Sequence, residues 1–230
     1  NTVFKFYLPA GVLWGLAAAY ALWWLGRRSG RWPTAIRPVW LAGVAVLVAA
    51  TAIYPVLGTR ERLADRFQVL PLTLDGMAYM QGSTYSYPGW CQVQGTVALN
   101  ADRDAILWLR DNVKGSPVIA EAVTPIYCWG SRFSVYTGLP TVIGWEWHQR
   151  QQRWAYQWMV EERLRDMGVF YRTSDQATTR SLIEKYDIRY IVVGQVERLY
   201  YPDSGLNKFD SMSELKLAYN EDGVRIYAVT

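Results

Sequence analysis

Residues 6 to 59 read FYLPAGVLWGLAAAYALWWLG, then RRSGRWPTAIR, then PVWLAGVAVLVAATAIYPVLGT, and this stretch decides the fold. The first and third segments, residues 6–26 and 38–59, hold 21 and 22 residues and no charge. At ~1.5 Å per residue, helices of this length match a hydrocarbon core of roughly 30 Å. The sequence therefore predicts two membrane-spanning helices joined by a short loop.

The loop between the two predicted spans holds four arginines and no acid. Short loops rich in Lys and Arg lie on the cytoplasmic side of a membrane. We therefore expect Arg27, Arg28, Arg31 and Arg37 in the cytoplasm and residues 60–230 outside it. A signal peptide is the less favoured interpretation of the first run, because the run is long, lacks a basic N-terminal region and precedes a second span.

The net charge of +4 comes from residues 1–59. Residues 1–59 contain five of the 24 Lys+Arg residues and none of the 20 Asp+Glu residues. The positive charge therefore reports membrane topology, and no nucleic-acid partner is expected. The chain begins at Asn1, with Lys5 close to the first span, so we expect the C-terminal piece of a longer protein whose remaining transmembrane helices are partners.

The rest of the chain is expected to form one extracytoplasmic α/β domain, residues 101–230, behind a connecting segment, residues 60–100, that is rich in Gly, Tyr, Ser and Pro. Apolar spacing and turn residues predict the elements of this domain. They are a helix over 102–113, strands over 118–123 and 141–144, a helix over 160–167 ended by Gly168, a helix to Tyr186 capped by Ser174, a buried strand over 188–193, and a hairpin turning at 220–223. The predicted fold is a membrane α-helical hairpin followed by a small mixed α/β extracytoplasmic domain.

The chain contains two cysteines, Cys91 and Cys128, and both fall in the part predicted to lie outside the cytoplasm. In an oxidising compartment, a disulfide between them would stabilise the fold by about 3 to 4 kcal/mol on the chain-entropy model. Two buried thiols are the alternative, and both interpretations remain open. Neither cysteine has the spacing of a metal site, and the single histidine does not complete one.

Residues 127–153, YCWGSRFSVYTGLPTVIGWEWHQRQQR, concentrate the donors and aromatic faces of the chain. Arg clamps phosphate, Gln and His bond hydroxyls, and Trp covers the apolar face of a sugar. The predicted substrate-binding residues are Trp145, His148, Gln149, Gln151, Arg153 and Arg132, with Lys5 and Arg60 as cations at the outer membrane face. The same composition also fits a loop that anchors at the bilayer surface, and that alternative stays open.

No catalytic residue is assigned from the sequence. It lacks a Walker A motif, a dinucleotide-binding GxGxxG and a nucleophile elbow. Glu121, Glu146 and His148 are conceivable acid/base groups, but carboxylates in such positions are more often surface or capping residues.

Five segments resemble the C-terminal end of the YYY family, large polytopic membrane proteins of bacteria and archaea that carry a domain of unknown function. The segments are NTVFKFY (1–7), LDGMAYM (74–80), DRDAILWLRDNVKGSPVIAEA (102–122), RFSVYTGLPTVIGWEWHQRQQR (132–153) and EKYDIRYIVVGQVERLYY (184–201). By hydropathy that family is similar to the C-type glycosyltransferases, which take sugars from polyprenyl-phosphate donors at the outer membrane face.

The resemblance implies a C-terminal fragment of an integral membrane glycosyltransferase-like protein. Its tail would contribute to a site for a lipid-linked sugar or an acceptor, with membrane lipid and a polyprenyl-phosphate sugar as partners. In C-type glycosyltransferases the catalytic carboxylate lies upstream, so this piece alone is expected to be inactive. The triple tyrosine that names the family is not found, and only Tyr200 and Tyr201 are adjacent.

No cofactor is expected in this fragment. A divalent metal in the full-length protein stays open. A non-catalytic membrane scaffold or accessory subunit is the alternative function, and whether the protein is an enzyme stays open.

Overall fold

A computed structural model describes residues 2–66 and 73–230. The chain divides into two compact units, a helical unit, Asn1–Arg66, and a globular unit, Phe67–Thr230. Part of the connecting segment predicted over 60–100, residues 67–72, lies outside the described residues.

The helical unit consists of α1 (Thr2–Arg28), α2 (Ile36–Ile53) and α3 (Thr59–Arg66). A π-helical turn, Tyr54–Gly58, joins α2 to α3 at Pro55, which has no N–H to continue the α-helical hydrogen bonds. The stretches Val3–Arg31 and Ile36–Ala64 are long and apolar enough to cross a membrane, and their most apolar windows are not buried within the protein. The two long apolar helices predicted from the sequence are therefore present.

The last turns of α1 place two arginines over tryptophan rings. The guanidinium carbon of Arg27 lies 5.3 Å from the ring centroid of Trp23, and that of Arg28 lies 4.1 Å from the ring centroid of Trp24. Both arginines thus keep their charge beside an aromatic face at the same end of α1. Paired Arg and Trp side chains are typical of the boundary between bilayer and water.

The described part of the globular unit contains six strands: β1 (Thr84–Ser86), β2 (Thr96–Ala98), β3 (Val118–Ala120), β4 (Ile188–Val193), β5 (Leu215–Glu221) and β6 (Val224–Val229). The main sheet has the strand order β3, β4, β6, β5. Parallel pairing joins β3 to β4, and antiparallel pairing joins β4 to β6 and β6 to β5. A separate two-stranded sheet pairs β1 with β2.

The predicted strand over 188–193 and the C-terminal hairpin are confirmed, and the globular unit is a mixed α/β fold. The strand predicted over 141–144 is wrong, because Thr141 contributes only a single bridge to Ile119. The connecting segment also holds regular structure that the sequence did not reveal, since β1 and β2 lie within it.

Helices cover both faces of the main sheet. They are α4 (Leu99–Asn112), α5 (Arg132–Thr137), α6 (Glu146–Gln152), α7 (Gln157–Arg172), α8 (Gln176–Tyr186), α9 (Gln195–Tyr200) and α10 (Asp203–Leu206). Alternate residues of β4 serve two hydrophobic clusters: Ile191 and Val193 join the cluster with α7 and α8, whereas Val192 joins the cluster with α4. The sheet is thus buried between two helical layers.

Two helix ends differ from the prediction. Helix α7 passes through Gly168 because the next turn carries the buried Phe170 and Tyr171, whose packing outweighs the ~1 kcal/mol cost of a helical glycine. Asp175 rather than Ser174 caps α8, because its carboxylate accepts two backbone N–H groups of the first turn.

A disulfide joins Cys91 to Cys128, with 5.6 Å between the Cα atoms, and both residues are buried. It connects the irregular region before β2 to the loop that precedes α5. The hydroxyl of Tyr200 donates to the Cys91 carbonyl at 2.8 Å, so α9 also contacts the disulfide-bonded segment. The bond therefore fixes the loop that borders the candidate site.

Candidate functional site

Arg132, the first residue of α5, is 2 % exposed and lies between two buried carboxylates. Its Nε donates to Oδ2 of Asp102 at 2.8 Å, and its two terminal nitrogens donate to the two oxygens of Glu197 at 3.2 and 2.8 Å. The guanidinium is therefore occupied by a bidentate pair and a second carboxylate. Two carboxylates thus balance the charge of Arg132, which also lines the aromatic groove described below. Its role in ligand binding stays a prediction.

Backbone N–H groups complete this buried cluster. Glu197 accepts from Ala122 and from Gly194, at 2.7 Å in each case. Glu121 accepts from two backbone N–H groups at the start of α5, at 2.9 and 3.0 Å. Buried charges with so many hydrogen bonds are structural in character. Glu121 thus caps a helix, as the simpler interpretation of its sequence position expected.

The carboxylates of the cluster differ in pKa. Burial raises the pKa of Asp102 and of Glu121, and the nearby Arg132 charge offsets only part of this effect. For Glu197, burial also acts to raise the pKa, but the charge and hydrogen bonds of Arg132 outweigh it, so the pKa is lowered. Oδ1 of Asp102 is buried without a hydrogen-bond partner. Asp102 is therefore the least satisfied member of the cluster.

The loop above the cluster has a strained backbone. Tyr127, Trp129 and Ser131 have positive φ values of 61°, 56° and 58°, with the disulfide-bonded Cys128 between them. Such a conformation costs a non-glycine residue roughly 1–2 kcal/mol. The indole N–H of Trp129 donates to Asp102 at 2.8 Å, which ties the loop to the cluster. The buried charges and the disulfide together hold this loop in one shape.

An aromatic groove of about 250 Å³ opens beside the strained loop. Two polar groups of the groove already form hydrogen bonds within the protein. The Tyr85 hydroxyl donates to the Tyr127 carbonyl at 2.8 Å, and the Trp145 indole N–H donates to the Gly130 carbonyl at 3.0 Å. Its walls therefore present mainly flat apolar faces. The aromatic groove is lined by Tyr85, Tyr127, Trp129, Gly130, Arg132, Val135, Tyr136 and Trp145.

A second concavity, of about 240 Å³, is the arginine pocket, and it combines two guanidinium groups with an amide and a hydroxyl. Among the described residues that line it there is no carboxylate, so the pocket is cationic and suits an anion. Its lining residues are Thr141, Val142, Ile143, Gly144, Gln149, Arg153, Met159, Val160 and Arg163.

Neutral partners hold both arginines of the pocket. Arg163 donates to the Val142 carbonyl at 2.8 Å, and its guanidinium carbon lies 5.1 Å from the ring centroid of Tyr186. Arg153 donates to the side-chain oxygen of Gln149. Because a guanidinium has five N–H donors, both side chains keep donors for a ligand.

Helix α6 and the residues directly before and after it include five of the eight predicted ligand-binding residues. Trp145, just before the helix, lines the groove, and the His148 ring centroid lies 5.6 Å from the Trp145 ring. Nδ1 of His148 is buried and has no hydrogen-bond partner among the described residues. Gln149 and Arg153 lie at the pocket. The helix therefore joins an aromatic surface to a cationic one.

The remaining predicted residues lie elsewhere. Gln151 is exposed on α6 and lines neither concavity. Lys5 and Arg60 are exposed residues of the helical unit, and their role at the outer membrane face stays a prediction.

Sequence reasoning missed Arg163, Asp102 and Glu197. Arg163 lies on α7, and no local motif links it to Arg153 ten residues earlier. Glu197 had a signal, because it follows Gly194 by three residues at the start of a helix, the spacing of a capping box. Within the described residues, no group of three His, Cys, Asp or Glu side chains is placed to hold a metal ion. The arginine pocket presents cations and does not fit a divalent metal.

No protein-family model matches the chain, and no curated protein matches it. Among solved structures, the chain is similar to the C-terminal globular domain of oligosaccharyltransferase from Archaeoglobus fulgidus, with a TM-score of 0.35 and 13% sequence identity over 56% of this chain and 96% of that one. A similarity of this size carries no argument about fold or function.

Proposed function

We propose that the arginine pocket binds the phosphate of a lipid-linked sugar, or of its acceptor, in an integral membrane glycosyltransferase-like protein. One observation carries the proposal: two arginines with spare donors, an amide and a hydroxyl line one concavity that has no carboxylate among its described residues. Guanidinium groups bind phosphate oxygens by paired hydrogen bonds. The pocket has the charge and the donors that such a phosphate needs.

Each residue around the pocket takes a role in this proposal. Arg153 and Arg163 hold phosphate oxygens, and Gln149 bonds a sugar hydroxyl. Trp145 covers an apolar sugar face, and His148 directs its unpartnered Nδ1 to a hydroxyl. Gln151 remains an exposed donor, and Lys5 and Arg60 add cations at the outer ends of the membrane helices.

The membrane setting is part of the same proposal. It is supported by the length and composition of the two apolar helices, and by the two arginines that lie over tryptophan rings at the end of α1. The disulfide between Cys91 and Cys128 suits an extracytoplasmic globular unit, because such bonds persist in oxidising compartments. The reaction class is taken from the resemblance to the YYY family, which is similar by hydropathy to the C-type glycosyltransferases.

Binding of farnesyl phosphate to the full chain in lipid nanodiscs tests the pocket. We expect saturable binding, and we expect Arg163→Ala to weaken it by about tenfold, because a hydrogen bond to a charged group contributes roughly 1.5–3 kcal/mol. Arg189→Ala is the control, since Arg189 is an exposed arginine paired with Asp187. Equal binding of farnesol, which lacks the phosphate, would contradict the proposal.

Cysteine labelling in intact cells tests the orientation. A cysteine at the exposed Gly30, between the spans, should be protected from an impermeant thiol reagent, and one at the exposed Ser204 should react. The native cysteines are both in the disulfide and do not compete. The reverse labelling pattern would place the globular unit in the cytoplasm.

A non-catalytic scaffold or accessory subunit remains the second candidate, and the exposed tryptophans near α6 favour it. Tryptophan-rich surfaces are common where proteins bind one another. A scaffold would show no phosphate-dependent binding of farnesyl phosphate, so the same nanodisc experiment separates the two functions.

A further inference from the structure

Four aromatic side chains are exposed around the junction of α6 and α7, and none lines the arginine pocket or the aromatic groove. The exposed fractions are 52% for Trp147, 81% for Trp154, 56% for Tyr156 and 60% for Trp158. We call these four residues the tryptophan patch. Such a concentration of exposed aromatic surface within twelve residues marks an interaction site.

One exposed arginine lies beside the patch. Arg150 pairs with Glu146 at 3.6 Å and with Glu161 at 2.9 Å, so its single charge offsets one of these two carboxylates. Arg165 forms no salt bridge with any described carboxylate, and it follows Trp158 by two helical turns on the same exposed face of α7. The two arginines and two carboxylates together carry no net charge, and Arg165 at the edge of the patch can contact lipid phosphates.

We propose that the tryptophan patch docks the globular unit on the bilayer surface, with Arg165 facing the lipid phosphates. The patch consists of Trp and Tyr, the residues that collect where a bilayer meets water, rather than the aliphatic residues of a buried core. Arginine reaches lipid headgroups from that level. Because the chain also has two helices able to cross a membrane, the bilayer is present at high effective concentration.

This inference rests on the proposed function for its membrane setting. Docking would in turn set the position of the proposed site relative to the bilayer. Trp147 lies on α6, and Trp154 directly follows Arg153 of the arginine pocket. A patch at the headgroup level therefore brings the pocket close to the level of lipid phosphates. A lipid-linked phosphate would then reach Arg153 while its chain stays in the bilayer.

The test uses the full chain with a nitroxide label, reconstituted at low protein density in vesicles of phosphatidylglycerol and phosphatidylcholine. Three single-cysteine sites are compared: Ala155 within the patch, Val46 on α2 and Lys216 on β5, all exposed in the protein. Accessibility to oxygen and to a water-soluble nickel complex reports the depth of each label. The label at Ala155 leaves all four aromatic residues in place.

We expect the label at 155 to lose nickel accessibility relative to the label at 216. Trp154→Ser/Trp158→Ser should restore it, whereas Trp90→Ser, a change at an exposed tryptophan outside the patch, should not. Replacing phosphatidylglycerol by phosphatidylcholine should weaken the protection. A label at 155 as accessible to nickel as that at 216 would overturn the inference and leave another protein as the occupant. The label at 46 reports membrane insertion separately, so a failure of the membrane setting is distinguished from a failure of docking.

Discussion

Two arginines of one segment, Arg132 and Arg153, have opposite environments. Arg132 is buried, and its donors meet the carboxylates of Asp102 and Glu197. Arg153 is exposed, and among the described residues its side chain hydrogen-bonds only the neutral Gln149. A guanidinium whose charge is balanced by carboxylates within the protein is committed to the fold. A guanidinium with neutral partners has an unbalanced charge that can attract an anion. This difference separates the buried cluster around Arg132 from the arginine pocket.

The largest expected effect is on stability and comes from the buried side of this comparison. Arg132→Met should lower the free energy of unfolding of the globular unit by about 3 to 5 kcal/mol, because two buried carboxylates lose their cation. Denaturant unfolding of the full chain in detergent, followed by near-ultraviolet circular dichroism, measures it. The control, Arg189→Met, removes an exposed pair and should change stability by about 1 kcal/mol or less. An equal loss of unfolding free energy in Arg132→Met and Arg189→Met would show that the buried cluster does not stabilise the globular unit.

Lys208 sharpens the comparison, because it is a buried cation that contacts carbonyls and aromatic rings and forms no salt bridge with a described carboxylate. Its Nζ donates to the carbonyls of Phe170 and Gly205, at 2.6 Å each, and burial lowers its pKa to about 8 from an ordinary 10.5. Between these two values the unfolded chain binds the proton and the folded chain does not. Stability should therefore rise with pH over this range, by an amount on the order of 2 to 3 kcal/mol.

The measurement for Lys208 is the free energy of unfolding at pH 7.5 and at pH 10, compared with that of Lys208→Met. Tyrosines also titrate near the upper pH, so the difference between the two proteins isolates the lysine. The rise with pH should be smaller in the variant. An identical pH dependence in both proteins would show that Lys208 keeps its ordinary pKa in the fold.

The sequence predicted elements whose pattern is local and failed where tertiary contacts decide. The buried strand at Ile188–Val193 follows from an apolar run, and the hairpin follows from alternation on both sides of Asn220–Gly223. In contrast, Gly168 did not end its helix, because burial of the following turn outweighs local propensity.

The candidate site was predictable in part. Composition identified Gln149 and Arg153, because arginine, glutamine and tryptophan gather in one short segment. It did not separate them from Arg132, since burial is invisible without the carboxylates 30 residues before and 65 residues after it in the chain. Arg163 joins the pocket only because α7 packs against residues 141–144, a contact that no local pattern encodes.

The most direct test of the phosphate-binding pocket compares Arg153→Lys with Arg153→Ala in farnesyl phosphate binding by the full chain in nanodiscs. A bidentate guanidinium cannot be replaced by the point charge of lysine. We therefore predict that both variants lose about tenfold in affinity, a change of about 1.4 kcal/mol, while Arg189→Ala binds as the unchanged protein does. Full affinity in Arg153→Lys would show that only charge is needed at this position, and full affinity in Arg153→Ala would show that the arginine pocket does not bind the phosphate.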